Sequence, residues 1–221
     1  MEIELNAAEL RILGVLIEKQ MATPDYYPLT LNALTNACNQ KNNREPLMHL
    51  DQAEVEQALK SLRNQHLVWQ IMTHGSRTAK YEHNMVEKTG CSERELSVLC
   101  ELFLRGPQTP GELNTRTARL IEPHGLIAIE QTLKKLMEHE NGPFAVMLPR
   151  LPGHKENRYI HLFCTPEQSE EIYQPTVKAP VSRGVRVSNE RVEHLEKKVN
   201  DLEEALNDLK NQFLSFKQQF E

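Results

Sequence analysis

The stretch VEQALKSL at residues 55–62 returns at residues 129–136 as IEQTLKKL, with five of the eight positions identical. In both copies, apolar residues recur at the three- and four-residue spacing of a helix that buries one face. Both copies also follow two helical patterns and precede two strand-like runs, which indicates a chain built from two similar halves. The predicted buried stripes are Val55, Leu59 and Leu62, then Ile129, Leu133 and Leu136.

In the first half, the run LNAAELRILGVLIEKQ has helical spacing, with Asn6 and Glu9 placed as a capping box. After the extended stretch PDYYPL, Thr30 is placed to cap a short helix. A third helix is predicted from about Asp51 to Gln65. The runs LVWQIMT and AKYEHN then flank HGSR, which is typical of a β-hairpin.

The second half repeats this order with different residues. Two capping patterns precede its first two helices, the octapeptide helix follows, and the runs FAVMLPR and NRYIHLF enclose LPGHKE. The order helix, helix, helix, hairpin is therefore predicted twice. The capping residues are Ser92 with Glu95, then Thr109 with Pro110 and Glu112, and the third helix is predicted over Leu126 to His139.

This order predicts a mainly α protein with small β-wings, made of two tandem winged-helix domains and a C-terminal coiled-coil-like helix. The predicted boundaries are 1–87 for the first domain, 88–165 for the second, 166–187 for a linker and 188–221 for the helix. The linker has three prolines in PEQSEEIYQPTVKAPVSRGVRVSNE and lacks sustained periodicity.

Three long blocks resemble the YceH-like family, uncharacterised bacterial proteins with two winged-helix domains in tandem. They are ELRILGVLIEKQ and TPDYYPLTLNALTNACNQKNNREP in the first half, and CSERELSVLCELFLRGPQTPGELNTRTARL in the second. The resemblance spans about residues 1–165. It implies the fold and brings no established biochemical activity with it.

Composition and motifs argue against several classes of function. The four cysteines form no CxxC pair and the nine histidines form no HExxH, so no metal site is predicted and buried thiols are expected. No nucleophile elbow, phosphate-binding loop or dinucleotide fingerprint occurs, so we expect a non-catalytic protein without a cofactor. No apolar run is long enough to span a bilayer and no signal peptide is evident, which favours a cytoplasmic protein.

Double-stranded DNA is the expected partner. Because the net charge is −5, binding would have to use local basic clusters rather than a surface that is basic throughout. The first cluster is NQKNNRE, just ahead of the third helix, where helix-turn-helix proteins meet the groove. A polar loop that only satisfies its own backbone is an equally good interpretation. The predicted contacts in this cluster are Gln40, Lys41, Asn42, Asn43 and Arg44.

Further cations lie on the helices and wings of both halves. Arg116 and Arg119 lie three apart on one helical side and fit a phosphate strand, although salt bridges on the surface or between domains are slightly favoured for this pair. Exposed turns also collect charged residues for no other reason than solvation. The remaining predicted contacts are Lys60, Lys134 and Lys135 on the octapeptide helices and Arg77, Lys80, Lys155 and Arg158 in the wings.

The tail carries an unbroken heptad pattern, which predicts a homodimer through a parallel coiled coil. The alternative is one amphipathic helix that folds back on its own domains. The a positions are Val192, Val199, Leu206, Phe213 and Phe220, and the d positions are Leu195, Leu202, Leu209 and Phe216.

These patterns together predict a non-catalytic, regulatory DNA-binding protein that uses tandem winged helices. The alternative function is a protein–protein interaction adaptor built on the same domains, because tandem winged helices also bind proteins. An acidic net charge favours the adaptor, and the basic clusters favour DNA.

Overall fold

The structure, a computed structural model, describes residues 3–72, 78–123, 125–150, 153 and 156–165. These residues lie in one compact unit, Met1–Gln174. They form a mainly helical fold with two small antiparallel sheets. The helices are α1 (Ala7–Ala22), α2 (Leu31–Cys38), α3 (Gln52–Asn64), α4 (Met85–Thr89), α5 (Glu93–Arg105), α6 (Pro110–Thr117) and α7 (Leu126–Met137). The strands are β1 (Leu29–Thr30), β2 (Val68–Ile71), β3 (Lys80–His83), β4 (Ala145–Met147) and β5 (Tyr159–His161).

The predicted helix starts are confirmed because each depends on residues close in sequence. Asn6 and Glu9 form a capping box at α1, and Thr30 caps α2 by accepting from the Ala33 amide at 3.3 Å. Asp51 and Glu54 form another box at α3. Each box satisfies amides that the first turn of a helix leaves without partners. The boxes at α5 and α6 use Ser92 with Glu95 and Thr109 with Glu112.

Both predicted hairpins are also present. In the first half, β2 and β3 pair in antiparallel register, with Val68 opposite His83 and Ile71 opposite Lys80. The two-residue strand β1 adds to the other edge of β3, giving the order β1-β3-β2. In the second half β4 pairs with β5, and a single bridge from Gln108 to Tyr159 takes the place that β1 has in the first.

The repeated octapeptide buries the stripe predicted for it. Val55, Leu59 and Leu62 are buried on α3, which packs against α1 and α2. Their counterparts on α7 pack against α5 and α6 in the same way. The repeat is thus a packing solution used twice. The buried residues of the second copy are Ile129, Leu133 and Leu136.

Helices α1 and α5 pack against each other and join the two halves into one core. Both helices are buried around most of their circumference, as expected for helices enclosed on several sides. Close approach occurs at Gly14 of α1, whose carbonyl accepts from the Cys100 thiol at 3.3 Å. The predicted domain boundary, between residues 87 and 88, falls inside the short helix α4.

The two strands β3 and β5 end in equivalent buried histidines. Nδ1 of His83 accepts from the Met85 amide, and Nδ1 of His161 accepts from the Phe163 amide, each at 3.3 Å. Burial lowers the pKa of His83 to about 4 and the pKa of His161 to about 3, so both rings are neutral near pH 7. These histidines are core residues. In the described ranges, no helix combines the length and apolarity needed to cross a membrane.

Candidate nucleic-acid interface

The polar loop after α2 divides into an exposed part and a buried part. Gln40, Lys41 and Asn42 are exposed to solvent. The loop is closed behind them by Asn39, whose side chain both donates to the Leu50 carbonyl at 2.7 Å and accepts from the Leu50 amide at 2.8 Å. Asn43 has a positive φ of 61° and accepts a hydrogen bond from Arg105. The exposed part can therefore meet a partner, whereas Asn43 faces its own protein.

Arg44 is buried, which corrects the prediction that it contacts phosphate. Its side chain is 0% exposed, and its guanidinium donates to both carboxylate oxygens of Glu18, at 3.2 and 2.6 Å. It also donates to the Ala37 carbonyl at 3.0 Å. Every one of these acceptors lies inside the protein. Arg44 therefore ties the loop to α1 and cannot reach a phosphate backbone.

Arg119 and Arg116 also make intramolecular ion pairs, in agreement with the salt-bridge interpretation. Arg119 contacts Glu18 at 2.5 Å and Glu101 at 2.7 Å, and its side chain is 29% exposed. Arg116 donates to Gln108 Oε1 at 2.5 Å and lies 3.6 Å from Glu112. Both guanidinium groups thus have partners within the protein, so a phosphate strand would have to compete for them.

Glu18, Arg44, Glu101 and Arg119 form a charge cluster, called here the Glu18 cluster, at the junction of α1, the polar loop and α5. Glu18 and Glu101 are 3% and 0% exposed. Burial by itself would raise the pKa of Glu18, but hydrogen bonds and the positive charges of Arg44 and Arg119 outweigh it, so the pKa is lowered. Contacts with Glu18 and Glu101 outweigh burial in the same way and raise the pKa of Arg119. The charged forms of Glu18 and Arg119 are thus favoured, and the cluster links both halves.

The lysines of the third helices remain open to solvent. Lys60 on α3 and both Lys134 and Lys135 on α7 are exposed. Lys80 in β3 is half-buried. Acidic side chains share the same helices, and the result is a surface of mixed sign. The exposed acidic residues are Glu54 and Glu56 on α3, Glu130 on α7 and Glu138 at the C-cap of α7.

The wing cations are only partly within the described residues. Arg158 donates to the Pro107 carbonyl at 2.6 Å and pairs with Glu112 at 3.1 Å, so it anchors β5 to the start of α6. Arg77 and Lys155 lie outside the described residues, and so do all the tail positions predicted for dimerisation. Those tail positions are Val192, Leu195, Val199, Leu202, Leu206, Leu209, Phe213, Phe216 and Phe220.

Helix α7 also presents apolar side chains to solvent. Leu126 is 46% exposed and Ile127 is 73% exposed at its first turn. A nearby cavity of about 540 Å³ lies between the start of α5 and the outer side of α7. Its lining mixes charged residues such as Arg94 and Lys135 with apolar ones such as Leu120. Sequence periodicity did not single out this surface.

Three possible metal ligands meet in the second half, although their spacing matches no common motif. Ligand atoms of Cys91, Glu95 and His139 all lie within 4.8 Å of one another. Cys91 precedes the cap of α5, Glu95 is in its first turn, and His139 follows the end of α7. Burial, together with the nearby charge of Glu95, raises the pKa of the Cys91 thiol to about 11. As predicted, Cys38, Cys91 and Cys100 are buried free thiols, while Cys164 is half-buried.

Comparison with known proteins identifies the family. Residues 5–154 match the model of a family described as "Protein of unknown function, DUF480". A "UPF0502 protein" of Geotalea daltonii is 51% identical over 222 residues, covering 100% of each chain. A second, from Geobacter metallireducens, is 50% identical and covers 89% of each chain. A third, from Hahella chejuensis, is 46% identical over 82% of this chain and 84% of the relative. The chain therefore belongs to the DUF480 family of bacterial proteins, whose relatives named here are called UPF0502 proteins.

Proposed function

We propose that the protein is a non-catalytic binder of duplex DNA that acts as a regulator through two tandem winged helices. The observation that carries the proposal is the exposed lysine face of the third helix in each half, Lys60 on α3 and Lys134 with Lys135 on α7. In a helix-turn-helix arrangement the third helix is the element that approaches the groove. Its opposite face is held by the buried apolar stripe, so the lysines are presented on a fixed support.

The order of elements supports the winged-helix assignment. In the first half, three helices are followed by a hairpin, and a short strand before α2 completes the sheet in the order β1-β3-β2. In the second half, three helices again precede a hairpin, and the Gln108–Tyr159 bridge takes the position of the short strand. Such domains position a helix for the groove and a hairpin for the backbone beside it.

The charge distribution sets how strong this binding should be. Of the described cations proposed for DNA, the exposed lysines are Lys41, Lys60, Lys134 and Lys135, while the arginines are paired within the protein. About four phosphate contacts would give a single bound chain a slope of about −3.6 for log affinity against log salt concentration. Affinity should then fall roughly 100-fold between 50 and 200 mM salt. We expect moderate, strongly salt-dependent binding.

Replacing Lys60, Lys134 and Lys135 together with alanine is expected to weaken DNA binding and to make the salt slope shallower by about 2.7, because three phosphate contacts are lost. Fluorescence anisotropy with a labelled duplex, over a salt series, measures both quantities. The matched control is Lys88→Ala on α4, a half-buried lysine that the proposal does not use. Absence of binding by the unaltered protein at about 50 mM salt would refute the DNA proposal.

We also propose that the protein acts as a homodimer through its C-terminal heptads. A leucine at a d position contributes roughly 1.5–3 kcal/mol only if a second helix covers it, so Leu202→Lys should dissociate the dimer and weaken DNA binding. Asn200→Lys adds the same charge at a b position and should leave the dimer intact. Light scattering at tens of micromolar measures this. A monomeric unaltered protein at that concentration would instead support a tail that folds back.

A protein-interaction adaptor is the second candidate, and the exposed Leu126 and Ile127 favour it. Apolar side chains at the start of a third helix are a poor match for phosphate but suit an apolar protein surface. Pull-down of the tagged protein from lysate, with and without nuclease, separates the two functions. Protein partners that persist after nuclease treatment, and are lost in Ile127→Ser, would favour the adaptor.

A further inference from the structure

The second half contains a cluster with the chemistry of a transition-metal site. Cys91, Glu95 and His139 offer a sulfur, a carboxylate oxygen and an imidazole nitrogen that all lie within 4.8 Å of one another. In a tetrahedral zinc site, bonds of about 2.0–2.3 Å place neighbouring ligand atoms roughly 3.3–3.8 Å apart. The three side chains would therefore have to close by at most roughly 1.5 Å. Rotamer adjustments are enough for a movement of this size.

The backbone around the three ligands is tied together by hydrogen bonds. The Asn141 side chain donates to the Thr89 carbonyl at 3.2 Å, which joins the chain after α7 to the chain before α5. The Cys91 amide donates to Thr89 Oγ1 at 3.2 Å. The His139 ring packs on Phe144 with centroids 4.9 Å apart. The ligands are thus held close together before any metal arrives, which lowers the ordering cost of binding.

Glu95 has a carboxylate oxygen free for a metal, and His139 has a ring nitrogen that a metal could take over from one hydrogen bond. Ser92 donates to Oε2 of Glu95 from both its amide, at 2.8 Å, and its hydroxyl, at 2.6 Å, which leaves Oε1 for a metal. The Asn141 amide donates to Nδ1 of His139 at 3.2 Å, so Nδ1 presents its lone pair, and a metal at Nδ1 would replace this single hydrogen bond. Among the described residues, no hydrogen bond joins Cys91, Glu95 and His139 to one another.

The charge balance also favours a cation. Glu95 is 7% exposed and Cys91 is 1% exposed, and no ion pair within the described ranges gives Glu95 a positive partner. A divalent ion would neutralise the carboxylate and stabilise the thiolate. Thiolate together with imidazole selects zinc-like ions over magnesium and calcium, which prefer oxygen ligands alone.

We propose that Cys91, Glu95 and His139 bind one divalent ion of the zinc class, with a water molecule completing the coordination. The site would join the start of α5 to the end of α7 within the second half. This inference goes beyond the proposed DNA binding and does not depend on it. Sequence reasoning predicted no metal site because Cys91 and Glu95 are four apart while His139 comes from a distant segment.

The test uses the full-length, metal-stripped protein titrated with Co²⁺ and then with Zn²⁺. Binding at the site should produce a cobalt–thiolate charge-transfer absorption that saturates at one ion per chain. Zn²⁺ should displace the Co²⁺ and abolish this absorption. Because the ion replaces the proton of the Cys91 thiol, affinity should fall by about tenfold for each unit of decreasing pH. Metal binding should also raise the melting temperature of the protein, because the ion binds only the folded state.

The variants separate metal binding from the folding roles of the same residues. Glu95→Gln keeps the capping box, because glutamine also serves at this position, but it removes the charged ligand. His139→Ala and Cys91→Ser each remove one of three ligands and should weaken affinity by more than about 100-fold, since even outer-shell changes cost 10–100-fold. Cys164→Ser is the matched control and should bind as the unaltered protein does.

Circular dichroism tests whether each variant is folded. If Cys91→Ser does not fold, His139→Ala tests metal binding in its place, because His139 is only half-buried and its replacement should disturb the core less. The charge-transfer band should be absent in folded Cys91→Ser and weakened in Glu95→Gln and His139→Ala. A titration without that band, or with a band that survives in His139→Ala at unchanged affinity, would overturn the proposal.

Discussion

Replacing Glu18 with glutamine is expected to lower the free energy of unfolding by about 3–5 kcal/mol, because it removes the charge that compensates a buried arginine. Arg44 is 0% exposed and contacts both carboxylate oxygens of Glu18, and Arg119 contacts the same carboxylate at 2.5 Å. Glutamine keeps the size of the side chain but has no negative charge. Urea denaturation followed by far-ultraviolet circular dichroism measures the change.

The matched control for this variant is Glu56→Gln, a change of the same atoms on the exposed face of α3. It should alter the free energy of unfolding by less than about 0.5 kcal/mol, as surface substitutions usually do. A loss below about 1 kcal/mol in Glu18→Gln would mean that water or Glu101 compensates the two arginines, and the Glu18 cluster would then not hold the halves together.

The pH dependence of stability should change in the same variant. The pKa of Glu18 is lowered in the folded state, so its carboxylate stabilises the protein above the unfolded-state pKa of about 4.3. This stabilisation is lost as the pH falls through the lower folded-state value. The unaltered protein should therefore lose stability below about pH 4.3 more steeply than Glu18→Gln does.

Local signals in the sequence were sufficient for most of the regular structure. A capping box involves residues three apart, and a helical stripe involves residues three and four apart, so both can be recognised without knowing the fold. The starts of α1, α5 and α6 and the buried stripe of α3 were predicted in this way. The elements that were missed are β1, α4 and a 3-10 helix over Pro24–Tyr26, which lies in the stretch predicted to be extended. They have two, five and three residues, which is too short for a period to show.

Arg44 could not be assigned from local composition because its partner is distant in sequence. Arg44 occurs in a polar run that resembles an exposed loop, but Glu18, which neutralises it, comes 26 residues earlier. Arg119 reaches the same carboxylate across 101 residues. Among the described cations, Lys41, Lys60, Lys134 and Lys135 remain solvated, as the pattern predicted. Burial of a charge is a property of the tertiary fold.

One signal for the joined core was present in the sequence. The run ILGVLI in α1 is apolar at consecutive positions and leaves no wide polar face, which is typical of a helix enclosed on several sides. A separate first domain would have left part of that surface in water. In the structure α5 covers it, so α1 serves the cores of both halves.

Replacing Gly14 with leucine is expected to destabilise the protein by about 3 kcal/mol or more, because the α1–α5 contact has no room for a side chain. A Cβ atom at Gly14 would lie 2.8 Å from Leu104 Cδ2, 2.9 Å from Leu104 Cγ and 3.1 Å from Phe103 Cβ. Phe103 Cβ is fixed to the backbone of α5 and cannot rotate away. Either the helices separate or Leu104 leaves its place in the core.

Gly14→Ala sets two opposing effects against each other. Alanine favours a helix over glycine by about 1 kcal/mol, whereas overpacking a close contact costs about 1–3 kcal/mol. Because even the Cβ atom lies within 3.0 Å of Leu104, we expect a net loss of about 1 kcal/mol. Thermal or urea unfolding of the alanine and leucine variants measures the series.

Gly111 of α6 supplies the matched control, since it is also helical but a Cβ atom there would meet nothing closer than 3.9 Å. Gly111→Ala should therefore gain up to about 1 kcal/mol from helix propensity alone, and Gly111→Leu should fold normally. The difference between the two alanine variants isolates the α1–α5 contact from the backbone effect. If Gly14→Ala gained as much stability as Gly111→Ala, helices α1 and α5 would not be in tight contact, and the joining of the two halves through this pair would be wrong.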